Sequence, residues 1–244
     1  MSDKESATKN EQANRVREMF ASIASRYDFL NHLLSGNIDR RWRSLVARTL
    51  FDTLSNSEAR VLDVACGTGD LSLELFEAGQ ARITGLDFCR PMLVIAASKA
   101  ARSNSSVPFV EGDALDLPFG DCSFEAATIA FGLRNLTSVE AGFKELLRVL
   151  KPGGRVVVLE FSKPKAPILR SLFRIYFTKL LPVFGGWISG SKSAYQYLPE
   201  SVSRFPDQEA LAAMMKAAGF AEVSYQNLTG GIAALHFGDR KSVV

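Results

Sequence analysis

An α/β fold, with a mostly parallel sheet and helices on both faces, is what three observations in this sequence predict. Short apolar runs alternate with helical patterns from residue 60 onward. The first run ends in a glycine turn, Cys66-Gly67-Thr68-Gly69. The second ends in Asp87, about 20 residues beyond Gly67, where a nucleotide-binding βαβ unit places a carboxylate for ribose hydroxyls.

The elements follow in order. Residues 1–12 (MSDKESATKNEQ) are polar and read as a flexible tail without the apolar core of a signal peptide. From 13 to 55 a helical cap is expected, with Val16, Met19, Phe20, Ile23 and Tyr27 at helical spacing, then Trp42, Leu45, Val46 and Leu50. Strand 60–65, helix 69–79, strand 82–87, helix 91–102 and strands 107–111 and 124–131 come next. Thr137 and Glu140 form a capping-box pair for a helix burying Val139, Phe143, Leu146, Leu147 and Leu150. Lys151-Pro152-Gly153-Gly154 stops that helix, and Arg155 to Phe161 is a β-branched strand. Pro206-Asp207 opens a last helix ended by Gly219, and strands 221–228 and 231–237 turn at Gly230-Gly231. That makes seven strands, the closing pair supplying an antiparallel edge.

The 244 residues, 47% hydrophobic and 23% charged, suit one large domain spanning 13–244. A net charge of +3 gives no argument for nucleic acid. Three scattered cysteines and two histidines make neither a metal site nor a disulfide framework, which points to a reducing cytoplasm. No apolar run is long enough to span a membrane.

The glycine turn defines the ligand class. Ser72 stands where a dinucleotide loop has its third glycine, and no phosphate-loop lysine follows. Two acids, Asp63 and Asp70, flank the turn and suit a cationic ligand. S-adenosylmethionine, with its ribose diol, ammonium and sulfonium and no phosphate, fits Asp63, Gly67, Thr68, Gly69 and Asp87. Asp113, after the third strand, reads either as an acceptor for an adenine amino group or as a turn aspartate satisfying backbone donors. Phe88 and Leu115 can flank the ring.

With those elements in place, the chain resembles the class I S-adenosylmethionine-dependent methyltransferases, and more narrowly the C-methyltransferases of menaquinone and ubiquinone biosynthesis. The likeness runs from about Val16 to Gly238. It rests on Tyr27-Asp28-Phe29-Leu30-Asn31 with Arg40 and Trp42, on RVLKPGGRVVVLEFSKP from Arg148 to Pro164, on FGLRN from Phe131 to Asn135, and on the LTGGIAALHFG ending. The resemblance implies a Rossmann-like class I methyltransferase fold. It assigns cofactor contacts to Thr68, Asp87, Asp113 and Ala114. Ala130 occupies a position that is often serine in the family, and Asn37 and Asp39 stand where some members have Gly and His. The implied reaction converts demethylmenaquinol to menaquinol. Alternatives are C-methylation of the polyprenyl methoxybenzoquinol of ubiquinone biosynthesis, methylation of another aromatic or lipid acceptor, and a non-catalytic S-adenosylmethionine-binding regulatory protein.

Transfer to a ring carbon needs a phenolate beside it, whose hydroxyl has a pKa near that of tyrosine, about 10. Arg134 is the implied stabiliser of that oxyanion and orienter of a water, since a guanidinium is too basic to act as a base itself. Asn135 holds the oxygen's direction. Tyr27, Asp28, Asn31 and His32 are candidate cap residues over the substrate; Tyr27 reads equally as core packing, and His32 more readily as structural.

Residues 165–205 form a helical insertion facing substrate or membrane. Leu169, Leu172, Phe173, Tyr176, Phe177, Leu180, Leu181, Phe184, Trp187 and Ile188 alternate with Arg170, Arg174, Lys179 and Lys192. That pattern fits peripheral contact at the inner face of the cytoplasmic membrane, packing on the sheet, or a homodimer contact.

Overall fold

The structure is a computed structural model that describes residues 2–176 and 192–242. Its centre is a seven-stranded sheet in the order β3-β2-β1-β4-β5-β7-β6. The strands are β1 (Arg60–Val64), β2 (Arg82–Asp87), β3 (Phe109–Glu111), β4 (Phe124–Ala130), β5 (Leu150–Phe161), β6 (Ala221–Leu228) and β7 (Ala233–Asp239). The first five are parallel, and β7 runs antiparallel to both β5 and β6. Strand order reverses between β1 and β4, so a crevice opens beyond the carboxyl ends of those two strands.

The helices are α1 (Ser2–Ser35), α2 (Ile38–Thr49), α3 (Phe51–Leu54), α4 (Asp70–Glu77), α5 (Arg90–Arg102), α6 (Val139–Val149), α7 (Pro167–Ile175), α8 (Lys192–Arg204) and α9 (Gln208–Ala218). On one face of the sheet Phe143 and Leu146 of α6 and Leu211 and Met215 of α9 pack on Leu62, Ile129 and Val158. On the other, Trp42 and Val46 of α2 and Leu71 and Leu75 of α4 pack on Val61, Ala126 and Val157. The central strands are buried on both faces, which is why Val156 to Leu159 is an unbroken apolar run. Each fully buried Leu or Phe here contributes about 1.5–3 kcal/mol.

Several boundaries differ from the sequence expectation, each for a local reason. Helix α1 begins at Ser2 and takes in the segment read as a tail. Ser138, not Thr137, caps α6: it has the extended backbone, and its hydroxyl accepts from Ala141 N at 3.1 Å and donates to Glu140 at 3.2 Å. β5 begins at Leu150 because the Lys151–Gly154 segment stays in the sheet, bonded to Arg240 by Gly153 N–H and Gly154 C=O at 2.9 and 2.8 Å. The last turn is a 3₁₀ turn, Thr229–Gly231, with both glycines at positive φ, so β7 starts two residues later than expected. Asp207 caps α9 as the sequence indicates, accepting from Glu209 and Ala210 N–H.

Candidate active site

Two cavities open at the reversal point. The larger, about 360 Å³, is lined by Tyr27 and Asn31 of α1, Trp42, Phe131, Arg134, Phe161 and Tyr197. The smaller, about 160 Å³, is lined by Asp87, Phe88, Met92, Asp113, Ala114, Leu115 and Asn135. Phe20, Tyr27, Ala65, Gly67, Ala130 and Phe131 border both, so a molecule in each would meet across this wall.

The wall is built from unusual backbone. Ala65 follows β1 with φ 53° and Phe131 follows β4 with φ 56°. Neighbouring parallel strands thus both leave the sheet through the left-handed region, a geometry that costs side chains energy and clusters at functional sites. A Cβ on Gly132 would lie 2.5 Å from that of Ala65, so these two exits are packed backbone to backbone.

Around the smaller cavity, Asp87 ends β2 and its carboxylate accepts from Gly67 N–H and Cys89 N–H, both at 2.8 Å. Burial raises its pKa above the ordinary carboxylate range, and the backbone donors oppose that. Gly67 has φ +56°, and a Cβ built there meets nothing within 4 Å, so the turn leaves open space toward the ligand side. Asp113 spends one oxygen on Leu115 N–H at 2.8 Å, the turn role weighed from sequence, while still lining the cavity beside buried Ala114.

Three of the sequence-selected residues are differently employed. Gly69 lines neither cavity; a Cβ there would come within 2.9 Å of the Phe109 ring and 3.0 Å of Ala96, so close packing demands the glycine. Asp63 borders the larger cavity, but its oxygens already accept from Thr128 (2.8 Å) and Ser72 (2.6 Å) hydroxyls. Burial pushes its pKa up to about 6. Asp28 lines neither cavity; it accepts from the hydroxyl of Thr68, which borders the larger cavity only, and from Lys99 at 2.8 Å.

Lys99 also pairs with Asp70, and Arg43 bridges Asp39 (2.7 Å) and Asp70 (3.2 Å). His32 bonds Asp39 at 2.8 Å, the structural role expected of it. This chain of charges ties α1 and α2 to the glycine turn. Lys99 and Arg43 were missed from sequence because nothing along the chain links them to Asp70.

The 3₁₀ turn Leu133–Asn135 presents Arg134 to the larger cavity and Asn135 to the smaller. Arg134 is held by Glu160 at 2.9 Å and by Phe131 C=O, over the face of Phe161 at 5.4 Å, and its Nε–H is buried with no partner. Asn135 accepts from the Tyr197 hydroxyl at 3.0 Å. Tyr27 shares a hydrogen bond with Asn31, and burial raises its pKa, so it stays a neutral phenol. Its ring packs edge-on to Phe20 at 5.9 Å while the residue lines both cavities. Trp42, Phe131 and Phe161 form an aromatic cluster with centroids 4.8–6.5 Å apart. Glu160 and Tyr197 were not picked out from sequence. The signal for Glu160 was present: a carboxylate inside an apolar strand requires a partner.

Helix α7 lies beside this cavity, with Phe173 and Tyr176 in its lining and Ile168 and Leu172 78% and 59% exposed. The expected apolar residues from Phe177 to Ile188 lie outside the described residues. No helix among the described residues is long and apolar enough to cross a membrane, and no group of residues there could hold a metal ion.

Comparison with known proteins bears on the family and the fold. The model of the ubiE/COQ5 methyltransferase family matches residues 7–240. A demethylmenaquinone methyltransferase of Thermus thermophilus is 53% identical over 223 residues, covering 91% of this chain and 100% of that protein. One from Deinococcus radiodurans is 49% identical over 234 residues, covering 96% and 95%. Among solved structures, an S-adenosylmethionine-dependent methyltransferase from Thermotoga maritima, a possible histamine N-methyltransferase, superimposes with a TM-score of 0.63 at 21% identity, over 92% of this chain and 99% of that one. Phosphoethanolamine N-methyltransferase 2 of Haemonchus contortus, solved with S-adenosyl-L-methionine, gives 0.61 at 15% identity, over 82% and 52%. At those identities the likeness concerns the fold.

Proposed function

The chain belongs to the ubiE/COQ5 methyltransferase family, and from that premise we propose that it methylates a ring carbon of demethylmenaquinol, with S-adenosylmethionine as donor. The observation that carries the reading is the shared wall: a glycine-bordered cavity that holds Asp87 and Asp113 meets an aromatic cavity that holds Arg134. The relatives at 53% and 49% identity, both named for this activity, supply the acceptor.

The residues fit the donor. The open space over Gly67 admits a ribose against the backbone, and Asp87 has lone pairs left for its diol. Asp113, Ala114 and Phe88 suit an adenine edge and face. When bound, the donor supplies a sulfonium methyl open to in-line attack. The protein's part is to bring the acceptor carbon to it and to favour the phenolate. Trp42, Phe131 and Phe161 offer the flat apolar surface a naphthoquinol ring needs. Arg134, which lines the larger cavity, holds the ring oxygen as its proton leaves to water. Asn135 fixes its direction. Transfer would break the S–CH₃ bond as the C–C bond forms and release S-adenosylhomocysteine; the ring carbon then loses its proton to solvent and the oxygen regains one, so that one proton is released in all.

The finer placement is peripheral attachment to an anionic bilayer through α7. Ile168, Leu172 and Ile175 are exposed on a helix that also carries Arg170 and Arg174, and its other side borders the acceptor cavity. A prenyl tail could then remain in lipid while its ring enters. Cosedimentation with anionic liposomes that weakens with salt supports this; no binding at low salt refutes it.

The deciding experiment is transfer of labelled methyl from S-adenosylmethionine to reduced demethylmenaquinone, beside the benzoquinol precursor and a control without reductant. Labelled menaquinol only under reduction is expected. Labelling of the benzoquinol alone moves the enzyme to the ubiquinone branch.

A further inference from the structure

Resting on the acceptor site just proposed, we infer that Glu160 and Tyr197 are positioning residues that hold Arg134 and Asn135 as one rigid donor set for the acceptor oxygen.

Glu160 sits near the end of β5 with 1% of its side chain exposed. Its Oε1 accepts from Arg134 Nη1 (2.9 Å) and Phe161 N–H (2.8 Å), and its Oε2 from Arg134 Nη1 (3.2 Å) and Arg134 N–H (3.3 Å). One carboxylate therefore fixes both the guanidinium and the backbone of the turn that carries it. All these contacts are N–H donors, and Glu160 is absent from both cavity walls, so it is no base for the substrate. Leaving Arg134 without it would strand a buried cation, which costs far more than the pair itself contributes.

The geometry of the guanidinium follows. Nη1 is consumed by Glu160 and Phe131 C=O, the Phe161 ring lies beneath, and Nε–H is left unspent. The side chain is thereby fixed by three groups: a carboxylate, a carbonyl and an aromatic face. Tyr197, from α8, does the same for Asn135: its O–H donates to Oδ1 while Nδ2 donates to Phe131 C=O at 3.4 Å. Both catalytic side chains thus share the Phe131 carbonyl as a common anchor, at the strained exit of β4. Glu160 also tempers the positive charge that the acceptor oxygen meets.

The test compares wild type, Glu160→Gln, Tyr197→Phe and Arg134→Ala in the full chain. It measures kcat and KM for reduced demethylmenaquinone, the pH–rate profile, Kd for S-adenosylmethionine and Tm. Glu160→Gln keeps the shape and loses the charge. We expect kcat to fall roughly 10- to 100-fold with KM and donor Kd within about twofold. The acid limb of its pH–rate profile should move to lower pH, because an untempered guanidinium favours the phenolate. Tyr197→Phe should lower kcat less, without moving that limb. An unmoved acid limb in Glu160→Gln overturns the inference, as does a kcat loss matched by equal losses in donor affinity and Tm. If Arg134→Ala retains full turnover, the acceptor-site reading itself falls; if only Arg134→Ala is impaired, that reading stands and the positioning role falls.

Discussion

Ala65 and Phe131 leave adjacent parallel strands in the same left-handed conformation, at φ 53° and 56°, and together form the partition between the two cavities. Strain of this kind persists only where the surroundings enforce it. Here the enforcement is the close approach of Gly132 to Ala65.

Ala65→Val should therefore be costly. A β-branched side chain is a poor fit at positive φ, and we expect a loss of about 1–3 kcal/mol in denaturant unfolding. Unchanged stability would mean the backbone at this exit relaxes freely.

Asp63 gives a pH signature. Its carboxyl rises to about 6 in the fold against 3.8 for the free group, so between those values the native state holds a proton the unfolded chain releases. Its contribution is full below 3.8 and lost as pH rises through about 6. Asp63→Asn, which cannot ionise, should gain stability relative to wild type across that window, by at most about 3 kcal/mol, and hold the gain above it. Parallel pH–stability curves would contradict the raised value.

Removing Asp87 should act on the donor. Asp87→Ala takes away the acceptor of Gly67 N–H and Cys89 N–H and the proposed ribose contact. Calorimetric titration should show S-adenosylmethionine binding at least roughly tenfold weaker, since bonds to charged groups are worth about 1.5–3 kcal/mol. An unchanged Kd would displace the ribose from this strand end.

Ser138→Ala tests the cap. Loss of its bond to Ala141 N–H should cost about 1 kcal/mol of stability, whereas Thr137→Val should cost less. Equal losses would restore Thr137 to a capping role.

The alternation of apolar runs and helical patterns made the sheet and most helices legible, because burial on both faces writes itself into consecutive residues such as Val156 to Leu159. The positions of Asp87 and Arg134 at the cavity walls were legible because a strand end and the FGLRN motif mark them. The packing of Gly69 against Phe109 was not legible, because it comes from a residue 40 positions away. The Glu160–Arg134 and Tyr197–Asn135 contacts span 26 and 62 residues. Periodicity reports which face a residue takes, not which distant partner it meets there.

The placement of β7 bears on how the protein is made. Along the described chain it is the last strand, yet it lies between β5 and β6. During synthesis, roughly 70 residues must follow Phe161 before Ala233 appears, about 4–15 s at ordinary elongation rates. For that interval β5 is an open apolar edge, a template for wrong pairing. A nascent chain of this design has to be guarded until β7 has emerged, and translation pauses within this stretch would prolong its exposure to aggregation.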